Sequence, residues 1–305
     1  MCSERIAALG GVVANLVKQS VSAATMGQYK RAWNRFVDFA VSIDQQFLPA
    51  SSQTVALFVA HLVTPPNNSL SSSIASSLSA ISFVHKILFH DDPCPHFVIR
   101  KMLKGLSRQK SSKDSRLPVT PAILHSLVSL CAVVAVSEYE AHMLKAMFGL
   151  MFHAFLRIGE VTPSPHCLQF EQLQVSGQVL SLTFNTFKHS PGYPITLQLS
   201  KSDNVLCPFK LVSPYLSFRG SRPGLLFVYP SGKAMSANHF RNLLRKVCER
   251  AGLASVNISP HSFRIGAATY AASKGYSEPQ IQAMGRWKST AFSRYIRIPP
   301  FTLHM

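Results

Sequence analysis

The stretch Ile258-Ser259-Pro260-His261-Ser262-Phe263-Arg264 opens a helix and sets two cationic side chains on it. Ser259 is placed to cap the helix, and Pro260 suits its first turn, where the missing N–H removes no hydrogen bond. His261 and Arg264 stand three residues apart, so they share one helix face near the positive end of its dipole. A histidine and an arginine there make an anion site. Taken alone, the H-x-x-R spacing far more often describes a surface pair with no role.

Three other segments share this ambiguity when read singly. Towards the C-terminus, Gly285-Arg286-Trp287 leads into Ser289-Thr290-Ala291-Phe292-Ser293-Arg294-Tyr295-Ile296-Arg297; a tyrosine near a chain end is most often packing. Upstream, Phe155-Leu156-Arg157-Ile158-Gly159-Glu160 puts an arginine after a very apolar helix, with Glu160 placed to hold the guanidinium. An arginine at a helix end also simply complements the dipole. Lys188 falls in a hairpin turn with His189, Ser190, Pro191 and Gly192, where most lysines are merely solvated.

Read in order, the signals change weight. Arginine with a nearby glutamate, hairpin lysine, H-x-x-R, tryptophan and then tyrosine resembles the ordered signature of the tyrosine recombinase (phage integrase) family. The likeness covers the whole chain in layout and residues 150–297 in motifs, and it is strongest over 258–297. The phrasing His261-Ser262-Phe263-Arg264-Ile265-Gly266-Ala267-Ala268 and Gly285-Arg286-Trp287-Lys288-Ser289 is most similar to recombinases of eukaryotic mobile elements of the Crypton and DIRS type.

The resemblance implies a site of Arg157, Lys188, His261, Arg264, Trp287 and Tyr295, with Glu160 and Arg286 in support. One departure matters: an ungapped count back from Tyr295 reaches Arg286, so Trp287 takes its position only after a one-residue shift. The implied chemistry makes Tyr295 the nucleophile, forms a 3′-phosphotyrosine link to DNA and frees a 5′-hydroxyl. Two guanidiniums can grip a phosphodiester bidentately and stabilise charge that grows in its transition state. A phenol with an ordinary pKa near 10 needs a base or a strongly cationic setting to attack at neutral pH, and His261 is the candidate for that proton. Lys188 is the candidate acid for the leaving oxygen. The covalent link stores the bond energy, so no cofactor and no metal is implied. The implied partners are double-stranded DNA and further copies of the chain, as a homo-oligomer of two to four on DNA.

Composition agrees with a polyanionic partner. Lysine and arginine number 31 against 13 acidic residues, a formal net charge of +18. Residues 1–110 hold 11 basic and 5 acidic side chains and residues 111–305 hold 20 and 8, so both parts are basic, at +6 and +12. A single basic tail would have put the excess at one end; nucleic acid or an anionic membrane surface would suit this spread. The longest apolar stretch, Ala122 to Val136, contains His125 and is too short to span a bilayer. The six cysteines are scattered without a C-x-x-C pair, which suits a reducing compartment. No signal-peptide pattern opens the chain. The expected location is the nucleus in a eukaryote and the cytoplasm otherwise, neither secreted nor in a membrane.

The predicted fold is mainly α with a small antiparallel sheet. Residues 1–106 read as a helical domain that resembles the family's core-binding domain. Residues 107–117 read as a basic linker, and 118–305 as a mixed catalytic domain. Between Arg100 and Arg116 stand seven basic residues and one acid: Arg100, Lys101, Lys104, Arg108, Lys110, Lys113 and Arg116 are candidates for a strap along a phosphate backbone, or for a plain solvated linker. Strands are expected near Gln178–Phe184, Tyr193–Leu199 and Leu225–Val228, with two long helices between Thr120-Pro121 and Arg157, one from Ser236 to Gly252, and helix beyond it. Three rival functions stay open. They are a catalytically dead DNA-binding relative, a type IB topoisomerase or telomere resolvase, and a membrane-surface basic protein.

Overall fold

The computed structural model describes residues 2–109, 114–187, 190 and 192–297. The chain divides into two compact units, Met1–Lys113 and Asp114–Met305. It is mainly helical with a small antiparallel sheet, as the sequence implies.

The first unit is built from α1 (Cys2–Gln19), α2 (Ala23–Ser42), α3 (Ser52–Val63), α4 (Ser71–Ile87) and α5 (Phe97–Gln109). Ser22 and Ser51 cap α2 and α3 by accepting the backbone N–H of Thr25 and Thr54. Phe36, Val55, Phe58, Leu62, Ile74, Ile81 and Ile99 form its core. Buried His85 ties the core to a loop: its Nε2 accepts the Ala50 N–H at 2.9 Å, which leaves Nδ1–H to donate to the Ile81 carbonyl at 2.8 Å.

Helix α5 differs from the expected boundary. Ser107-Arg108-Gln109, read as linker, forms its last turn, because Arg, Gln and Leu are good helix formers once one face is buried. Ile99, Met102, Leu103 and Leu106 face the core. Arg100, Lys101, Lys104 and Arg108 are exposed at helical spacing, so they form a basic stripe on a rigid element rather than a flexible strap. Lys110 and Lys113 lie outside the described residues.

The second unit begins with a strap. The Leu117 and Val119 N–H groups donate to the carbonyls of Asn257 and Ser262 at 2.9 and 3.0 Å. A Cβ at Gly266 would fall 1.9 Å from the Val119 carbonyl oxygen, so only glycine lets the strap lie this close. Then come α6 (Pro121–Val134), started by Thr120 and Pro121 as read from the sequence, and α7 (Glu138–His153). Met143, Leu144, Met147, Phe148, Leu150 and Met151 make α7 the spine of the core. A short α8 (Ile158–Val161) follows.

The sheet is β1 (Leu173–Ser176), β2 (Val179–Phe184) and β3 (Ile195–Ser200), in that order and antiparallel. Leu180, Leu182 and Phe184 alternate inward on β2, with Leu182 opposite Leu173 on one side and Leu197 on the other. The unit ends with α9 (Pro208–Arg219), α10 (Ala237–Arg250), α11 (Pro260–Ser273), α12 (Glu278–Met284) and a 3-10 helix, Thr290–Tyr295. Among the described residues no helix is long and apolar enough to cross a membrane.

The expected strand Leu225–Val228 is corrected to a loop with isolated bridges from Leu225 to Gln169 and from Val228 to Ala234. Side chains of α9 occupy its backbone. The Arg219 guanidinium, fully buried, donates to the carbonyls of Gly220, Arg222, Leu225 and Leu226, at 2.7 to 3.0 Å. Tyr215, one turn earlier, donates to the Leu226 carbonyl and accepts the Val228 N–H. These bonds replace a strand's ladder. Replacing Arg219 by Met keeps the bulk and takes the donor from the Gly220, Arg222 and Leu225 carbonyls, while Leu226 keeps Tyr215. Each buried unpaired group costs about 1–3 kcal/mol, so urea unfolding of R219M should show a loss of about 3 kcal/mol or more. A loss below about 1 kcal/mol would mean that the loop is held by packing alone.

Candidate active site

The site is assembled around Arg264. This side chain sits one turn inside α11 and is wholly buried. Its two terminal nitrogens donate to the carbonyls of Phe155 and Gly285, and its guanidinium lies 4.1 Å from the centre of the Trp287 ring. Both carbonyls come from places where the backbone turns sharply. Phe155 ends α7 with φ of 53°, and Arg286, just beyond α12, has φ of 54°. Non-glycine residues pay on the order of 1–3 kcal/mol to hold that conformation. Gly285 serves the same close approach: a Cβ there would fall 1.6 Å from the Trp287 ring.

Arg157 follows that turn as the N-cap of α8, with its side chain 24 % exposed. Glu160, 2 % exposed, takes hold of it twice, accepting the Arg157 backbone N–H at 2.8 Å and its Nη1–H at 3.2 Å. Glu160 also accepts from Arg286 at 3.0 Å. Arg286 is itself buried, donates to the Ala154 carbonyl and stacks 3.8 Å from the centre of the Phe184 ring. Burial, then the neighbouring cations Arg157 and Arg286, push the pKa of Arg264 down. Burial does the same to Arg286, against the pull of Glu160. Arg157 and Arg286 thus share one carboxylate, which Arg264 does not touch.

Tyr295, at the end of the 3-10 helix, lays its ring 4.9 Å from His261 and 5.1 Å from Trp287, centre to centre, with the Arg264 guanidinium 5.9 Å from its ring. His261 is held well below the ordinary histidine value, to about 4, first by burial and then by the charges of Arg116 and Arg264. It is therefore a neutral imidazole at physiological pH. Several buried N–H donors at the site have no acceptor among the described residues: Arg264 Nε, Arg286 Nε and Trp287 Nε1.

Of the residues singled out in the sequence, the structure brings together Arg157, Glu160, His261, Arg264, Arg286, Trp287 and Tyr295. The choice between Arg286 and Trp287 has a geometric answer: Trp287 adjoins Arg264 and Tyr295, while Arg286 turns inward to Glu160. Lys188 lies outside the described residues. Arg116, taken as part of the basic linker, instead adjoins this site and pairs with Asp114 at 2.8 Å. Asp114, the one acid in that basic run, also reaches Arg297 at 3.0 Å, and Arg116 holds its carboxyl down to about 2. Thr269, on α11, bonds to the backbone on both sides of Ile296. No spacing rule marks Thr269 or Gly285; only the reversal of acid among bases could have pointed to Asp114.

The profile of the phage integrase family matches residues 123–298. A search of curated protein sequences finds no match. Among solved structures, the chain is similar to the XerH site-specific recombinase bound to palindromic difH substrate, with TM-score 0.67 and 13% identity over 93% of this chain and 79% of that one. It is also similar to a lambda integrase dimer bound to a COC′ core site (0.65, 12%, 94% and 75%). A third likeness is to the Tn1549 transposon integrase in complex with transposon right end DNA (0.62, 15%, 95% and 95%). At these identities the likeness is one of fold.

The lowered pKa of His261 has a consequence for stability. A folded pKa of about 4 against an ordinary value near 6.5 means that the unfolded chain binds the proton more readily. The contribution is full above the unfolded value and is lost as pH falls from there through the folded one. Wild-type stability to urea should drop between pH 6.5 and 4 more steeply than that of His261→Gln. Parallel pH profiles for the two proteins would show that His261 titrates normally.

Proposed function

The chain belongs to the phage integrase family, and on that premise we propose that it is a site-specific DNA recombinase that cuts and rejoins strands through Tyr295. The observation that carries this reading is the charge imbalance around Arg264. Three guanidiniums stand with one carboxylate, and N–H donors of Arg264 and Trp287 have no partner among the described residues, a balance of charge and donors that suits a DNA phosphate.

In this reading Arg157 and Arg264 bind the non-bridging oxygens of the scissile phosphate, and Trp287 Nε1 donates to one of them. Glu160 and Arg286 hold the first arginine and the backbone in place. The phenol oxygen of Tyr295 attacks phosphorus as the bond to the 5′ oxygen breaks. Neutral His261 takes the phenol proton, directly or through water, and Lys188 gives one to the leaving oxygen. The phosphodiester becomes a 3′-phosphotyrosine, and a 5′-hydroxyl of another strand reverses the step, so the exchange consumes no cofactor. The exposed basic stripe of α5 and the positive charge of both units hold the duplex, and copies of the chain assemble on it as a dimer to tetramer.

The test is a nicked duplex carrying a sequence enriched on the full chain from a random pool. Wild type should give a protein–DNA band that survives denaturant and disappears with protease, mapping to the peptide with Tyr295. Tyr295→Phe should bind the duplex and give none. Arg157→Ala, whose side chain is partly exposed, should lose roughly 3–4 kcal/mol of transition-state stabilisation while duplex binding weakens only modestly. An adduct in the phenylalanine variant, or on another residue, would overturn the assignment of Tyr295. Binding should also weaken steeply as salt rises, since each phosphate neutralised releases counterions; an affinity indifferent to salt would remove the basic stripe from the mechanism.

A further inference from the structure

The 3-10 helix that carries Tyr295 is six residues long, and such helices hold themselves poorly because their hydrogen-bond geometry is strained. Something outside the helix has to fix it. The Thr269 hydroxyl donates to the Tyr295 carbonyl at 3.2 Å and accepts the Arg297 N–H at 3.0 Å, closing a clip across Ile296. Asp114 adds a second hold, an ion pair with Arg297 Nη2 at 3.0 Å, while it binds Arg116 through both oxygens at 2.8 Å. Phe292, fully buried among Ala267, Ala268 and Ile281, anchors the middle of the segment.

The Thr269 bonds grip the backbone on either side of Ile296. Thr269 belongs to the same helix as His261 and Arg264, eight and five residues further along. The clip therefore ties the tyrosine to the element that carries the anion-binding side chains, two of which, with Trp287, surround its ring.

We propose that Thr269 and Asp114 are positioning residues that hold Tyr295 against the anion-binding side chains of α11 for attack on DNA. The proposal rests on the functional reading above. Its physical basis is that a displacement of the nucleophile by about 1 Å costs on the order of a hundredfold in rate. A clip of two hydrogen bonds to the backbone on either side of Ile296 limits such displacement. Threonine suits the place because one hydroxyl both donates and accepts. Valine has its shape and does neither.

The experiment uses the full chain and the nicked duplex enriched from a random pool. Thr269→Val should form the covalent adduct roughly tenfold or more slowly at saturating DNA, with duplex affinity unchanged. Thr269→Ser, which keeps the hydroxyl, should recover most of the rate. Asp114→Asn should slow the adduct by up to roughly fivefold, the range expected for a partly exposed ion pair. Thr269→Val chains that react like wild type, that lose affinity rather than rate, or that serine fails to rescue would overturn the role of the clip. Should Thr269→Val not fold, the serine and asparagine variants decide it: wild-type rates in Asp114→Asn together with a serine variant as slow as an inactive chain would overturn it. A wild-type chain that binds the duplex and forms no adduct would sink the functional reading itself, and this proposal with it.

Discussion

The second unit is organised by one buried cation. Arg264 brings the end of α7 and the end of α12 to the same point by binding the carbonyl of Phe155 in one and of Gly285 in the other. Removing a charge from water is expensive, and the cost is bearable only where hydrogen bonds and polarisable neighbours replace hydration. Two carbonyls and the face of Trp287 do this from three sides. Without Arg264, no group among the described residues would draw the Phe155 and Gly285 carbonyls toward each other, and Arg157, Glu160 and Trp287 would lose their common reference.

The two left-handed residues follow from the same constraint. A helix normally ends with its last carbonyls pointing along its axis, toward solvent or a cap. Here the chain must turn so that a carbonyl faces sideways into the protein. Phe155 and Arg286 accept positive φ where glycine would be the ordinary choice. Each is held there by its side chain: Phe155 is buried and meets Trp287 edge-on, and Arg286 is pinned between Glu160 and Phe184. The strain is carried by contacts that also build the site.

How much of this was legible in the sequence depends on the range of the interaction. Ser259-Pro260, Thr120-Pro121 and the alternation in Val179–Phe184 are local patterns, and the elements they announce are present. His261 and Arg264 are three apart and share a helix turn, so their proximity follows from periodicity alone. Arg157, Trp287 and Tyr295 could be joined to them only through a remembered order of residues, because nothing local says that α7, α11 and α12 converge. Strand β1 escaped notice because its alternation is four residues long. Helix α9 was left unassigned; Pro208 begins it and Pro214 lies inside it, and both imitate breaks. The loop at Leu225–Val228 looked like a strand because its apolar residues are buried; what makes it a loop is Arg219, a side chain from another element. Thr269 and Asp114 act on backbone that is near only in the folded unit, which no spacing can reveal.

The count of charges sets the character of the site. Had each arginine its own carboxylate, the cluster would be a closed set of ion pairs, satisfied in the empty protein and indifferent to an added anion. Had none a partner, like charges at close range in a poorly hydrated place would push the helix ends apart. One glutamate shared between Arg157 and Arg286 lies between these limits. It fixes the outer two cations by their inward nitrogens and leaves Arg264, which it does not touch, to backbone carbonyls that orient the guanidinium without cancelling its charge. The result is a positive field already in place before any ligand arrives, so that little reorganisation is needed when one does. Burial first, and then the charges of Arg116 and Arg264, keep His261 neutral, and a neutral imidazole beside a phenol is the state in which it can accept a proton.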